Sequence, residues 1–190
     1  MPDPKAITGV VLAGGKSSRF GSNKALCRFG NQDFLSHSID LLRNFTTEVI
    51  ISGYYPEYLD KEITVLEDEY LGIGPLGGIY TALKQSSTTW ILVVTCDMPL
   101  ISQAVITKLL QAINEETDII GWHHETLFTT FPMLISKKML LYLEEIIQSG
   151  KYRVKQLYDW DRSHRIMISD ELLPNFANIN TQKEYKEIIR

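Results

Sequence analysis

The chain has 190 residues, 44% of them hydrophobic and 22% charged, and a formal net charge of −4. This size predicts a single domain over residues 1–190 that buries its core without staples, and the mild acidity excludes a general nucleic-acid binder, which needs a broad basic surface. Two cysteines, Cys27 and Cys96, form neither a disulfide framework nor a zinc spacing, and no apolar run or signal-like N-terminus points to a membrane or to export. A cytoplasmic protein with no membrane partner is expected.

Strand-like and helix-like segments alternate along the chain. Residues 7–13 are a short β-branched run that stops at Gly14 and Gly15, as a buried strand would. Leu35, Ile39, Leu42 and Phe45 fall at helical spacing and predict a helix over 34–45. Strands are expected at 48–52 and 63–66, with a helix over 77–85 that Pro75 could open from its first position. Residues 90–95, WILVVT, are almost wholly apolar and predict a strand buried on both faces. Ser102 caps a helix through 113, residues 118–135 hold one or two strands, and Ser136 caps a helix over 137–148. A strand is expected at 164–168. The last helix opens with a Thr181-x-x-Glu184 capping box. Such alternation implies βαβ units and a mostly parallel sheet.

Two glycine patterns mislead. Gly15-Lys16-Ser17 suggests a phosphate-binding P-loop, but the first glycine of that motif would fall on Val10. Gly72-Ile-Gly74-Pro-Leu-Gly77 has the letters of a dinucleotide fingerprint, yet it follows the third strand and contains Pro75.

The chemistry concentrates at strand ends. After the first strand, Gly14 and Gly15 allow the backbone to turn its N–H groups toward an anion, and Lys16, Arg19 and Lys24 follow within ten positions. Arg19 offers a planar fork of donors, and the lysines offer point charges. A nucleoside triphosphate, a simple phosphate ester or a merely solvated basic loop would each fit. Asp97 follows the WILVVT strand and is either a Mg²⁺ ligand shared with phosphate oxygens or a turn aspartate. Asn178 and Asn180 in FANINT either face a ligand or shape the turn before Thr181. Tyr54, Tyr55 and Tyr58 could stack on a base or only pack. Residues 151–165, basic and aromatic, either face an anionic acceptor or form a surface helix. His37, His123, His124 and His164 form no readable catalytic set.

Taken together, LAGGKSSRFGSNK, EDEYLGIGPLGGI, CDMP and FANINT resemble, in order and over about the whole chain, the signature segments of the molybdenum cofactor guanylyltransferases. The resemblance implies a single-domain, Rossmann-like three-layer α/β sandwich of nucleotidyltransferase type. It implies transfer of GMP from GTP to the terminal phosphate of molybdopterin, with release of pyrophosphate. It places the nucleotide on Leu12, Ala13, Gly14, Gly15, Lys24, Ser52, Asp68 and Asp97, with Mg²⁺ on Asp97. Arg19, Lys24 and Asp97 would be catalytic, and Gly74, Pro75, Asn178 and Asn180 would lie near the ligand. Molybdoenzymes or their chaperones are the candidate recipients of the product. LAGG and CDMP resemble the guanylyl branch, whereas the cytidylyl branch tends to show LAAG and GDQP.

Two positions depart from the pattern. Ser52 stands where the guanylyl family often has asparagine near the base, and Gln182 where it has proline. Ser52 keeps CTP open as the donor, and with it a cytidylyltransferase or an enzyme acting on another small phosphate such as a sugar phosphate. A non-catalytic nucleotide-binding module is the reading from a different class.

Overall fold

The structure is a computed structural model and describes residues 7–14, 23–56, 58, 63–127 and 129–188. In chain order the first elements are β1 (Ile7–Leu12), β2 (Arg28–Phe29), β3 (Gln32–Asp33), α1 (Phe34–Arg43), β4 (Glu48–Ser52) and β5 (Thr64–Leu66). Then come α2 (Pro75–Gln85), β6 (Trp90–Thr95), α3 (Gln103–Gln111), β7 (Ile119–His123), β8 (Met133–Ser136), α4 (Leu140–Gln148), β9 (Ser163–Met167) and α5 (Gln182–Ile188).

The described strands form a seven-stranded sheet in the order β5-β4-β1-β6-β8-β7-β9, with β2 and β3 as a separate hairpin. All six residues of β1 are buried, because β4 and β6 flank it in parallel and helices cover both faces. The faces can be told apart by their glycines. A Cβ on Gly9 would meet Leu42 of α1 at 3.1 Å, whereas a Cβ on Gly78 of α2 would meet Leu12 at 2.9 Å. Gly9 and Leu12 are three residues apart on one strand and so point to opposite faces. Helix α1 therefore covers one side of β1 and α2 the other, which makes the fold a three-layer α/β sandwich.

Only β8 runs against the other described strands of this sheet, antiparallel to both β6 and β7. Its reversal follows from chain length. Residues 124–132 between β7 and β8 are fewer than the dozen or more that a parallel crossover needs. Of the one or two strands expected over 118–135, two are present, as a reversed pair.

Several boundaries move for local reasons. Helix α2 begins two residues before 77, because Gly74 takes a positive φ of 71° as the N-cap and Pro75 occupies the first turn. Ser102 stands at the N-cap of α3 without a side-chain capping bond. The segment expected as one helix over 137–148 starts as a 3-10 turn, Lys137–Met139, with Ser136 accepting from the Lys138 N–H. Residues 151–165 do not form a surface helix: they make a 3-10 turn, Val154–Asp159, that feeds β9. The capping box at α5 is formed, with Glu184 N–H donating to Thr181 Oγ1 at 3.2 Å and Thr181 N–H to Glu184 Oε2 at 2.9 Å.

The chain's last segment returns to its first half. Phe34 and Ile179 form a small buried cluster with Cys27, Phe29, Tyr185 and Ile188 packed against it. Tyr185 donates its hydroxyl to the Arg28 carbonyl at 2.7 Å. Helix α5 is thereby docked on the β2–β3 hairpin.

Candidate active site

Because β1, β4, β5 and β6 are mutually parallel, their carboxyl ends open on one edge of the sheet, where ligands of such sheets bind. A cavity of about 710 Å³ lies there. Leu12, Ala13 and Gly14 line it from the end of β1, Ser52 from β4, Asp68 from beyond β5, and Cys96 and Asp97 from just beyond β6. Gly74 and Pro75 at the start of α2, and Lys24, complete the set of expected residues on its wall.

Lys24 is the meeting point of three distant segments. Its Nζ donates to Asp97 Oδ2 at 3.1 Å and to Asn180 Oδ1 at 3.1 Å. The side chains of Lys24 and Asp97 are 15% and 26% exposed, so the pair is only partly screened by water. Asn23 aims this lysine: its side chain accepts from the Ala25 N–H at 3.2 Å and caps the short 3-10 turn Lys24–Leu26. Asn180 is held in turn, since the Ile179 N–H donates to the Asp97 carbonyl at 2.8 Å and the Asn180 N–H to Glu184 Oε2 at 2.7 Å. The bond from the Asn180 N–H, chiefly, and those with Thr181 draw the Glu184 carboxyl below its usual range, against the opposing effect of burial.

At the other end of the cavity, Ser52 Oγ donates to Asp68 Oδ1 at 2.8 Å. Burial pushes the Asp68 carboxyl above the ordinary carboxylate range, and the Ser52 bond opposes that rise. Gly78 makes room for the pair, because a Cβ there would stand 2.2 Å from Ser52 Oγ. The three acids of EDE are sorted by the fold. Glu67 is exposed, Glu69 pairs with Lys84 at 2.8 Å, and Asp68 faces the cavity.

Cys96 also lines the cavity, but burial, with the Asp97 charge, pushes its thiol up to about 12, so it is protonated and inert near neutral pH. Asp97 is the described residue whose chemistry fits Mg²⁺. Among the described residues no group of three or more His, Cys, Asp or Glu side chains could hold a metal alone. A single carboxylate there would suit a Mg²⁺ ion, which takes one or two carboxylates and its remaining ligands from phosphate oxygens and water.

Gly15, Lys16 and Arg19 lie outside the described residues. Asn178 and Asn180 are both exposed and neither lines the cavity, but Asn180 is tied to it by accepting from Lys24. Tyr55 and Tyr58 are 4% and 2% exposed and cannot present a ring face to a base. Their hydroxyls go to protein groups: Tyr55 donates to the Ala13 carbonyl at 2.6 Å, and Tyr58 lies 2.9 Å from Asp33 Oδ1. Among the described residues no histidine lines the cavity. Sequence reading missed the roles of Asn23 and Gly78. Asn23, directly before Lys24, carried a signal as a helix-capping residue type, whereas Gly78 carried none.

Among the described residues no helix is long and apolar enough to cross a membrane. Residues 9–166 match the family described as the MobA-like NTP transferase domain. The chain is 32% identical over 194 residues to a probable molybdenum cofactor guanylyltransferase of Geobacillus sp. (strain WCH70), covering 96% of this chain and 98% of that one. It is also 32% identical over 189 residues to the molybdenum cofactor guanylyltransferase of Vibrio cholerae, covering 95% and 90%. The fold matches the crystal structure of molybdopterin-guanine dinucleotide biosynthesis protein A from Archaeoglobus fulgidus with a TM-score of 0.80 at 19% identity, over 96% of both chains. A cavity at the carboxyl ends of parallel strands, a lysine bridging the aspartate just beyond β6 to a C-terminal asparagine, and this full-length similarity agree: the chain belongs to the MobA-like NTP transferase family.

Proposed function

We propose that this chain, acting as a single domain over residues 1–190, transfers GMP from GTP to the terminal phosphate of molybdopterin and releases pyrophosphate. The observation that carries the proposal is the bridge by which Lys24, on the wall of the strand-end cavity, joins Asp97 of the same wall to the exposed Asn180 beside it. Full-length similarity to proteins named molybdenum cofactor guanylyltransferase supports the choice of donor and acceptor.

In the transfer, an acceptor phosphate oxygen forms a bond to the α-phosphorus of GTP. The bond from that phosphorus to the bridging oxygen breaks, and its electron pair leaves with pyrophosphate. A phosphate monoester is already anionic near neutral pH, so no side chain need remove a proton. The protein's task is alignment and relief of charge repulsion. Lys24 and Arg19 neutralise the charge that builds on the departing phosphates. Asp97 would hold Mg²⁺, which when bound supplies further charge neutralisation at the nucleotide oxygens. Asn180 keeps Lys24 within reach, and Asp68, steadied by Ser52, accepts N–H donors of the guanine. The product passes to molybdoenzymes or their chaperones in the cytoplasm.

Mg²⁺-dependent pyrophosphate release in the presence of molybdopterin, compared for GTP and CTP, tests the proposal. Release with GTP alone is expected. Release with CTP alone would leave the mechanism and overturn the donor, which Ser52 makes the sharpest point of the test. No release with either would overturn the acceptor.

A further inference from the structure

We infer that Tyr55 is a positioning residue for nucleotide phosphate, acting through the peptide that joins Ala13 to Gly14. This rests on the reading of the cavity as a triphosphate site. The Ala13 unit is held from two sides. Its N–H donates to the Ser52 carbonyl at 3.0 Å, and its carbonyl accepts the Tyr55 hydroxyl proton at 2.6 Å. A trans peptide directs its N–H opposite to its C=O. With the Ala13 carbonyl fixed on Tyr55, the Gly14 N–H is directed away from that buried hydroxyl. Gly14 is exposed on the cavity wall, and its N–H makes no hydrogen bond among the described residues. An amide on a cavity wall, with no acceptor among the described residues, is a donor for an anion.

The tyrosine ring is itself locked. Gly53 has a φ of 136°, and a Cβ there would approach Tyr55 Cε2 to 3.0 Å, so the ring lies close beneath that turn. The same hydroxyl lies 3.4 Å from Asn23 Oδ1, the group that caps the turn carrying Lys24. One buried oxygen thus touches the residues before Gly14 and before Lys24, the two described ligand-facing groups on that side of the cavity. Neither a base-stacking role nor plain packing requires this hydroxyl.

The test uses the full chain and its Tyr55→Phe variant, with Tyr58→Phe as the control. Tyr58 also buries a bonded hydroxyl, but on Asp33 and Ser36, away from the cavity. Losing one neutral hydrogen bond predicts a GTP Kd and KM about two- to tenfold higher in Tyr55→Phe, with kcat little changed. Guanosine, which lacks phosphates, should bind both chains equally, and Tyr58→Phe should bind GTP as the wild type does. A merely structural role would lower the melting temperature and leave the KM for GTP unchanged, and that result overturns the inference. Equal weakening in both variants overturns it too. A wild type that binds no nucleoside triphosphate overturns the reading of the cavity, and this inference with it. Should Tyr55→Phe fail to fold, the amide resonance of Gly14 in the wild-type chain decides: it must shift on titration with GTP, and a still resonance overturns the inference.

Discussion

Up to Asp97, polar side chains at strand ends face a shared cavity; from Asp118 to Phe176, they turn into the protein, where Asp118 Oδ1, Trp122 Nε1 and Gln156 Oε1 are buried without a hydrogen-bond partner among the described residues. In the first region Ser52, Asp68, Lys24 and Asp97 line the wall. In the second, the buried carboxylate of Asp118 accepts from Trp160 Nε1 at 3.3 Å and lies 2.7 Å from Arg162 Nε. Gly121 leaves the space that Tyr158 fills, and the Tyr158 hydroxyl donates to the Thr130 carbonyl at 3.1 Å. Trp122 stacks edge-on against Phe176 with ring centroids 5.1 Å apart. Both regions belong to one sheet, so position on a sheet edge does not by itself make a site. What differs is whether the polar groups are left with an open side. The C-terminal segment is structurally joined to the first region, since Asn180 accepts from Lys24 across the intervening chain.

The comparison is broken most directly at Asp97. Asp97→Ala should lower kcat for pyrophosphate release by about 100-fold or more, the usual cost of losing a charged group at a transferring phosphate. Its melting temperature should stay near wild type, because the carboxylate is partly exposed. A thermal scan beside the kinetic assay separates the two. Gly78→Ala should act on both stability and binding. The added methyl would collide with Ser52 Oγ and Leu12, costing about 1–3 kcal/mol by overpacking and raising the KM for GTP.

Arg162→Ala should show the opposite signature to Asp97→Ala. It leaves Asp118 buried with a weaker set of partners and costs about 1–2 kcal/mol, discounted because Arg162 is 41% exposed. Denaturant unfolding should record that loss while the KM for GTP stays unchanged. A changed KM would mean that the second region does reach the nucleotide.

Ser52→Ala should give the smallest effect, and a directional one. The carboxyl of Asp68 is raised by burial and lowered by Ser52. If ionised Asp68 receives the guanine donors, kcat/KM for GTP falls on the acid side at a pH above the ordinary carboxylate range. Removing Ser52 takes away the lowering bond, so that acid limb moves to higher pH. For stability the sign is reversed: a raised carboxyl favours the fold at low pH, and the contribution is lost as pH rises through its folded pKa. A pH profile of kcat/KM for both chains records the shift.

How much of this was legible in the sequence differs between the regions for a physical reason. Lys24, Asp97 and Asn180 stood out because phosphate chemistry demands those side chains at breaks in apolar runs. The direct bonds from Lys24 to Asp97 and Asn180 were not legible, since they depend on α5 docking against the hairpin. Nor was the Ser52–Asp68 link, which depends on β4 and β5 ending in register, with Ser52 opposite Leu66. The hairpin itself has strands of two residues, too short to show any period. The reversal of β8 was hidden for a different reason. Its residues, MLIS, are buried at every position, and a fully buried strand reads the same in either direction.

The central claim is that the chain's two ends meet to build one transfer site, and a double-mutant cycle tests it most directly. The kcat for GTP-dependent pyrophosphate release would be measured for wild type, Lys24→Ala, Asn180→Ala and the double variant. The account predicts strong non-additivity, with Asn180→Ala adding little once Lys24 is gone, because the asparagine acts by holding that lysine. Additive losses would contradict it and separate the C-terminal segment from the chemistry at Lys24.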